Sequence, residues 1–285
     1  MASYVDVSES AAVISKDHLK SAMPAELPAV YVLGIRFHNA TMAQTLNQAK
    51  EFILAGKKSH QICLSNAYTV SLCWKDAELR RVLDKADLVL ADGMSIVWGG
   101  RFVGVALPGR IAGPDLSEAL CAQAEKLGHR VFFLGSTPEN LAQLKQVLLE
   151  RWPALKIAGM FSPRMCDRLS GEDNTVIFQQ LHAAKPDILF VGMSTPKQEK
   201  WIAAHLQEFH IPVCIGIGAA FDFISGRVRR APEQFQKAGL EWLYRLWSEP
   251  RRLWKRYLLG NMIFLTHLTW EWLKHQNRAR LKTTP

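Results

Sequence analysis

The sequence predicts a doubly wound α/β domain with a mainly parallel sheet, followed by a helical, basic, Trp-rich C-terminal appendage. Three observations predict this. Short apolar runs alternate with helix-patterned segments from residue 29 to about 230. Several of these runs are apolar throughout, as suits strands covered on both faces. The charge is segregated: residues 227–285 carry thirteen Lys/Arg against four Asp/Glu, which is the whole net charge of +9. Five of the nine Trp (Trp242, Trp247, Trp254, Trp270, Trp272) fall in the same segment.

Strands are expected at 29–35, 60–65, 87–91, 130–135, 156–161, 187–192 and 212–217. Helices are expected at 41–55, 69–85, 114–127, 137–151, 172–184, 196–208 and 231–247. The alternation argues for one α/β domain over 29–230. Residues 1–28 form an extension expected to be poorly ordered, and 231–285 form the appendage. A length of 285 residues with 48% apolar and 21% charged content excludes a disordered chain or a small disulfide scaffold. Cys63, Cys73, Cys121, Cys166 and Cys214 include no CxxC pair and read as reduced thiols. No His/Cys cluster has zinc-ligand spacing. No segment reads as a signal peptide, and the most apolar stretch, 258–273, is shorter than the roughly 20 residues a membrane span needs.

In open α/β sheets, ligands bind beyond the carboxyl ends of the strands. That rule selects Asn66, Asp92, Gly135 with Ser136, Gly192, and the run from Gly216 through Gly218 and Phe221 to Asp222. Thr137-Pro138 and Thr195-Pro196 each read as an N-cap followed by proline at the first helical position, and Gln198 completes a capping box with Thr195. Such helix starts serve as caps or as phosphate sites. Gly216-x-Gly218-x-x-Phe221 is a partial dinucleotide fingerprint, or simply a close-approach turn. Asp92 ends an apolar strand before Gly93, so it is either a helix cap or a general base.

The loops resemble the WecG/TagA/CpsF family of bacterial glycosyltransferases. The residues that carry the match are Asn66-Ala67, Leu90-Ala-Asp92-Gly93-Met94 and Leu107-Pro-Gly-Arg110-Ile-Ala-Gly113. They continue through Phe133–Ser136, Gly192–Trp201 with its PKQEKW, Gly216–Asp222, Arg230-Ala-Pro232 and Gly239–Arg245. The resemblance implies a Rossmann-like domain and an inverting transferase that moves a sugar from a UDP-sugar to a polyprenyl-pyrophosphate-linked saccharide at the inner membrane surface. It implies Asp92 as catalytic base, with Arg110, Gln198, Arg245 and one of Arg251 and Arg252 as substrate or pyrophosphate contacts. Many members have Thr-x-Asn after the second strand, where this chain has Leu64-Ser65-Asn66.

Two carboxylates of an Asp-x-Asp metal motif are missing, so arginines are expected to stabilise the departing UDP, with no metal and no cofactor. The basic amphipathic tail is expected on an anionic membrane surface, with no membrane span. The α/β body is expected to keep its core without the residues beyond about 247. Apolar Leu64 leans the donor toward a neutral hexose in an exopolysaccharide pathway. The alternative is an N-acetylmannosaminyl or N-acetylmannosaminuronyl transferase. Rival classes are an NAD-type oxidoreductase and a nucleic-acid-binding protein, although no nucleic-acid module is present. Homo-oligomerisation is left open.

Overall fold

The computed structural model describes residues 27–282 except 57 and 167, with side chains described as far as 274. The expectation for residues 1–28 therefore lies almost wholly outside the described residues. The predicted strand over 29–35 is instead a hairpin, with β1 (Ala29–Val32) antiparallel to β2 (Ile35–His38). The chain turns at Leu33 and Gly34, whose φ angles are 52° and 70°. Positive φ at both central residues matches the strand twist in a two-residue hairpin.

Next come α1 (Met42–Ala55), opened by a capping box of Thr41 and Gln44, and β3 (His60–Ser65). The predicted helix over 69–85 divides into α2 (Ala67–Cys73) and α3 (Ala77–Lys85). The break arises because the Asp76 carboxylate accepts from Leu79 N at 3.0 Å and starts a new helix. β4 (Leu88–Ala91) leads into α4 (Met94–Phe102), foreseen only in the reading of Asp92 as a helix cap, and then α5 (Gly113–Leu127). The rest of the body is β5 (Arg130–Gly135), α6 (Pro138–Arg151), β6 (Lys156–Phe161), α7 (Gly171–Ala184), β7 (Ile188–Gly192), α8 (Lys197–Phe209), β8 (Val213–Gly216) and α9 (Ala220–Ile224).

Six strands form one sheet in the order β4-β3-β8-β7-β5-β6, with every pairing parallel. The inner strands are buried along nearly their whole length, while β6 at the edge is half-covered. Parallel order sends every carboxyl end to the same side, so the loops after β3, β4, β5, β7 and β8 converge.

The appendage comprises α10 (Glu233–Lys237), α11 (Glu241–Ser248), α12 (Pro250–Trp254), a π-helical turn over Lys255–Leu259, and α13 (Gly260–Lys282). The helix expected over 231–247 is broken at Gly239. A Cβ there would lie 2.4 Å from the Trp98 ring, and φ is 69°. Phe264 and Leu268 of α13 are buried in one cluster with Val70, Ile96 and Val97. The imidazole of His267 stacks on Trp74 at 3.6 Å. The expectation that the body keeps its core without the tail is therefore corrected: α13 supplies part of that core, because α2 and α4 each leave an apolar face uncovered by the sheet. Phe264→Ala is expected to destabilise the protein by about 3–5 kcal/mol, read as a lower urea midpoint. An unchanged midpoint would make α13 a loosely docked arm.

Candidate active site

The converging loops and the appendage enclose a cleft of about 1420 Å³. Asn66, Asp92, Arg110, Gly135, Ser136, Gly192, Gln198, Gly218, Phe221, Asp222, Arg245 and Arg252 all line it. Arg251 does not: it is exposed outside the cleft. Of the two arginines left open by the sequence, the structure brings Arg252 to the wall, paired with Glu249 at 2.5 Å.

Asp92 follows β4 directly. It does not cap α4, whose N-cap is Gly93 with no side-chain cap bond. Instead its Oδ1 accepts from Gly113 N, at the start of α5, at 3.3 Å, and its Oδ2 accepts from Asn66 Nδ2 at 3.4 Å. Asn66 also caps α2 through Oδ1, accepting from Tyr68 N and Thr69 N at 3.1 and 3.2 Å. One Asn thus locks a helix start and orients the carboxylate. Burial pushes the Asp92 carboxyl up to about 6, helped by the Glu241 carboxylate. The Gly113 N–H and the Arg256 and Arg110 guanidiniums pull the other way. A carboxylate near 6 suits a base working at neutral pH.

Gln198 is more deeply embedded than the sequence suggested. Its Oε1 accepts from Gly218 N at 2.9 Å and its Nε2 donates to Glu199 Oε1 at 2.9 Å. A Cβ at Gly216 would lie 2.9 Å from that Nε2. So Gly216 and Gly218 serve a close approach of Gln198, and the second glycine's N–H is already used. Glu199 is buried, which raises its carboxyl above the usual range. It also accepts from the Thr195 hydroxyl at 3.0 Å. This corrects the expected cap: Thr195 donates to Glu199, and the N-cap position of α8 is Pro196, with no side-chain cap bond. Thr137 does cap α6 as expected, accepting from Asn140 N.

Phe221 is buried, and its ring fills the space where a Gly192 Cβ would stand, 2.4 Å away. Asn140 ties two predicted residues together, donating to Ser136 Oγ at 2.8 Å and Asp222 Oδ1 at 3.0 Å. Leu64 lines the cleft. Neighbouring Ser65 is buried, its hydroxyl has no partner among the described residues, and it is absent from the lining. Alternation along β3 explains this: a one-residue step turns the side chain to the other face.

The arginines divide by partner. Arg110 donates to Glu241 Oε2 at 2.6 Å and Gln236 Oε1 at 3.3 Å. Arg230 joins Glu241 to Asp115. These ion pairs clamp α10 and α11 onto α5. By contrast, the Arg245 guanidinium lies over the Phe223 ring at 4.9 Å and that of Arg256 over the Tyr68 ring at 4.8 Å. Among the described residues, the Nε of each is buried without a protein acceptor. Arg256 was not singled out from the sequence, where it is one of several basic residues in an amphipathic run. The π-helical turn brings it into the cleft, and such bulges recur at functional sites. The cleft therefore brings the Asp92 carboxylate together with several guanidiniums, groups suited to deprotonating a hydroxyl beside a phosphorylated leaving group.

Comparison with known proteins identifies the family. The model of the glycosyl transferase WecG/TagA/CpsF family matches residues 30–278. An N-acetylglucosaminyldiphosphoundecaprenol N-acetyl-beta-D-mannosaminyltransferase of Bacillus subtilis strain 168 is 31% identical over 79% of this chain and 85% of its own length. The protein of the same description from Staphylococcus aureus strain MW2 is 30% identical over 80% of this chain and 86% of its own. That of Bacillus spizizenii is 35% identical over 62% of this chain and 66% of its own. With nearly the whole described chain matched and the fold as expected, this protein belongs to the WecG/TagA/CpsF family of glycosyltransferases.

Proposed function

We propose that the protein is an inverting transferase that moves an N-acetylmannosaminyl group from a UDP-sugar to a polyprenyl-diphosphate-linked N-acetylglucosamine. The observation that carries this reading is the Asp92 carboxylate, held by Asn66 and Gly113 in a cleft with Arg245 and Arg256. The relatives' descriptions support the sugar, and they favour it over the neutral hexose first read from Leu64. In one displacement, Asp92 takes the acceptor hydroxyl proton as the oxygen attacks the anomeric carbon from the face opposite UDP. The C1–O bond to UDP breaks, its electron pair leaves with the phosphate oxygen, and the configuration inverts. Arg245, Arg252 and Arg256 are suited to meet the diphosphate charge that grows as the bond breaks.

A panel of UDP-sugars with a short-chain lipid-diphosphate acceptor tests the reading. UDP-N-acetylmannosamine is expected to exceed UDP-glucose in kcat/KM by about tenfold or more, and the reverse order would restore the hexosyl reading. Because the arginines carry the leaving-group charge, transfer is expected to survive EDTA. Strict dependence on added Mg²⁺ or Mn²⁺ would overturn that part.

We further infer a peripheral site of action on the anionic cytoplasmic face of the inner membrane. Among the described residues, no helix is long and apolar enough to cross a membrane. Trp247 is 87% exposed, and Trp254, Leu258, Leu259 and Met262 are also exposed, close in sequence to Arg251 and Lys255. Interleaved apolar and basic side chains suit an interface, each basic residue near an anionic surface contributing about 1 kcal/mol. Binding to anionic vesicles is expected to weaken, not vanish, at high salt, since screening leaves apolar burial intact. Complete release would make the attachment purely electrostatic.

A further inference from the structure

The cleft has a second end that the chemistry at Asp92 does not use. Helix α4 begins two residues after Asp92 and sends Met94, Trp98 and Phe102 into the cleft wall. Their spacing of four residues keeps them on one helix face. Helix α13 begins just past Arg256 and sends Phe264, Leu265 and Leu268 into the same cleft. The two helices meet at Gly99, where a Cβ would lie 3.0 Å from the Phe264 ring. Trp98 (45%), Phe102 (49%) and Leu265 (56%) keep large exposed fractions. Half-exposed apolar side chains lining a cleft suit an apolar ligand, although the Phe102 ring also packs against that of Trp272 at 5.6 Å.

The order of groups along the cleft identifies the occupant. The Asp92 carboxylate stands just before α4, the Arg256 guanidinium is near enough to act on it, Arg245 lines the same cleft, and the apolar walls run on along α4 and α13. From Arg256 to Thr269 the helical rise gives a wall of about 20 Å. A glycosyl diphosphate joined to an isoprenoid has the same order: hydroxyl, diphosphate, hydrocarbon. We propose that the α4/α13 groove binds the first isoprene units of the acceptor, so that the enzyme reads the lipid itself and not only its headgroup. The proposal rests on the transferase reading for its choice of ligand, yet it can be tested without transfer.

The experiment titrates the full-length protein with geranylgeranyl diphosphate, below its aggregation concentration, and with inorganic diphosphate. It compares wild type with Phe102→Ser and Leu265→Ser, and circular dichroism checks that each variant is folded. Wild type is expected to bind the prenyl diphosphate at least about tenfold tighter than inorganic diphosphate. Each variant should lose most of that preference while keeping its affinity for inorganic diphosphate. Equal affinity of wild type for the two ligands would overturn the groove, as would variants that retain the preference. Vesicle binding supplies the other arm. It should hold in both variants, and a parallel loss would make these residues a general membrane face and overturn the proposal. Absence of sugar transfer by a wild type that still prefers the prenyl diphosphate would instead count against the transferase reading, leaving the groove intact.

Discussion

Asp92→Asn is expected to lower turnover by about 10²–10⁴-fold, the usual contribution of a general base, while UDP affinity stays nearly unchanged. The amide keeps the shape and its oxygen still accepts from Asn66 or Gly113, so the loops should not move. Only the proton-accepting function is removed. The pH profile provides an independent reading. The carboxyl is pushed up to about 6, and the active form is the carboxylate. So kcat/KM should be flat above about pH 7 and fall by about tenfold per unit below 6, as protonation removes the base. The Asn variant should lack this acid limb. Near-normal turnover in the variant, or an unchanged acid limb, would exclude Asp92 as the base and leave it a bridge between two helix starts.

Arg256→Ala and Arg245→Ala are each expected to cost about 10²–10³-fold in kcat, the range for removing one preorganised donor to a developing negative charge. Among the described residues neither forms a salt bridge: both lie on aromatic rings, and each Nε is without a protein acceptor. Arg110→Ala should behave differently, because it unpairs Glu241 from α5's side of the clamp. Its loss should appear partly as lowered stability and as a raised Asp92 pKa, since one guanidinium that lowers it is gone. Arg→Lys at 245 or 256 would keep the charge but lose the planar stacking, and is expected to rescue only part of the activity. Full activity of Arg256→Ala would return that residue to a packing role on Tyr68.

The two sets of variants also separate the roles that burial and charge play at Asp92. Desolvation raises its pKa, whereas Arg256 lowers it. Removing Arg256 should therefore shift the acid limb upward in addition to lowering the plateau. A plateau loss with no shift would mean that the guanidinium acts on the leaving group alone.

The sequence by itself determined the positions of the six parallel strands, the edge of the sheet where their carboxyl ends gather, and the loops that follow them. Apolar runs, caps and glycines encode local conformation, and a parallel sheet brings all carboxyl ends to one edge regardless of strand order. For the same reason Asn66, Asp92, Ser136 and Asp222 could be named before the fold was known, whereas Gln198 was named through a cap that the structure replaces, and the segregated charge marked the appendage. What the tertiary structure decided depends on which side chain meets which across long sequence separations. Turns of one or two residues, at Leu33-Gly34, Asp76 and Gly239, broke elements that periodicity had joined. Helix α4 was legible only through its start after Asp92, because its face is divided between core and cleft and its pattern is not simply amphipathic. The choice of Arg252 over Arg251, the entry of Arg256 through a π-helical turn, and the commitment of Arg110 to Glu241 all depend on helix rotation. A rotation of about 100° per residue places one arginine on the cleft wall and its neighbour in solvent. In a run of five basic residues between 251 and 274 that distinction is not written in composition, because it is made by Phe264 and Leu268 entering the core and fixing the helix that carries them.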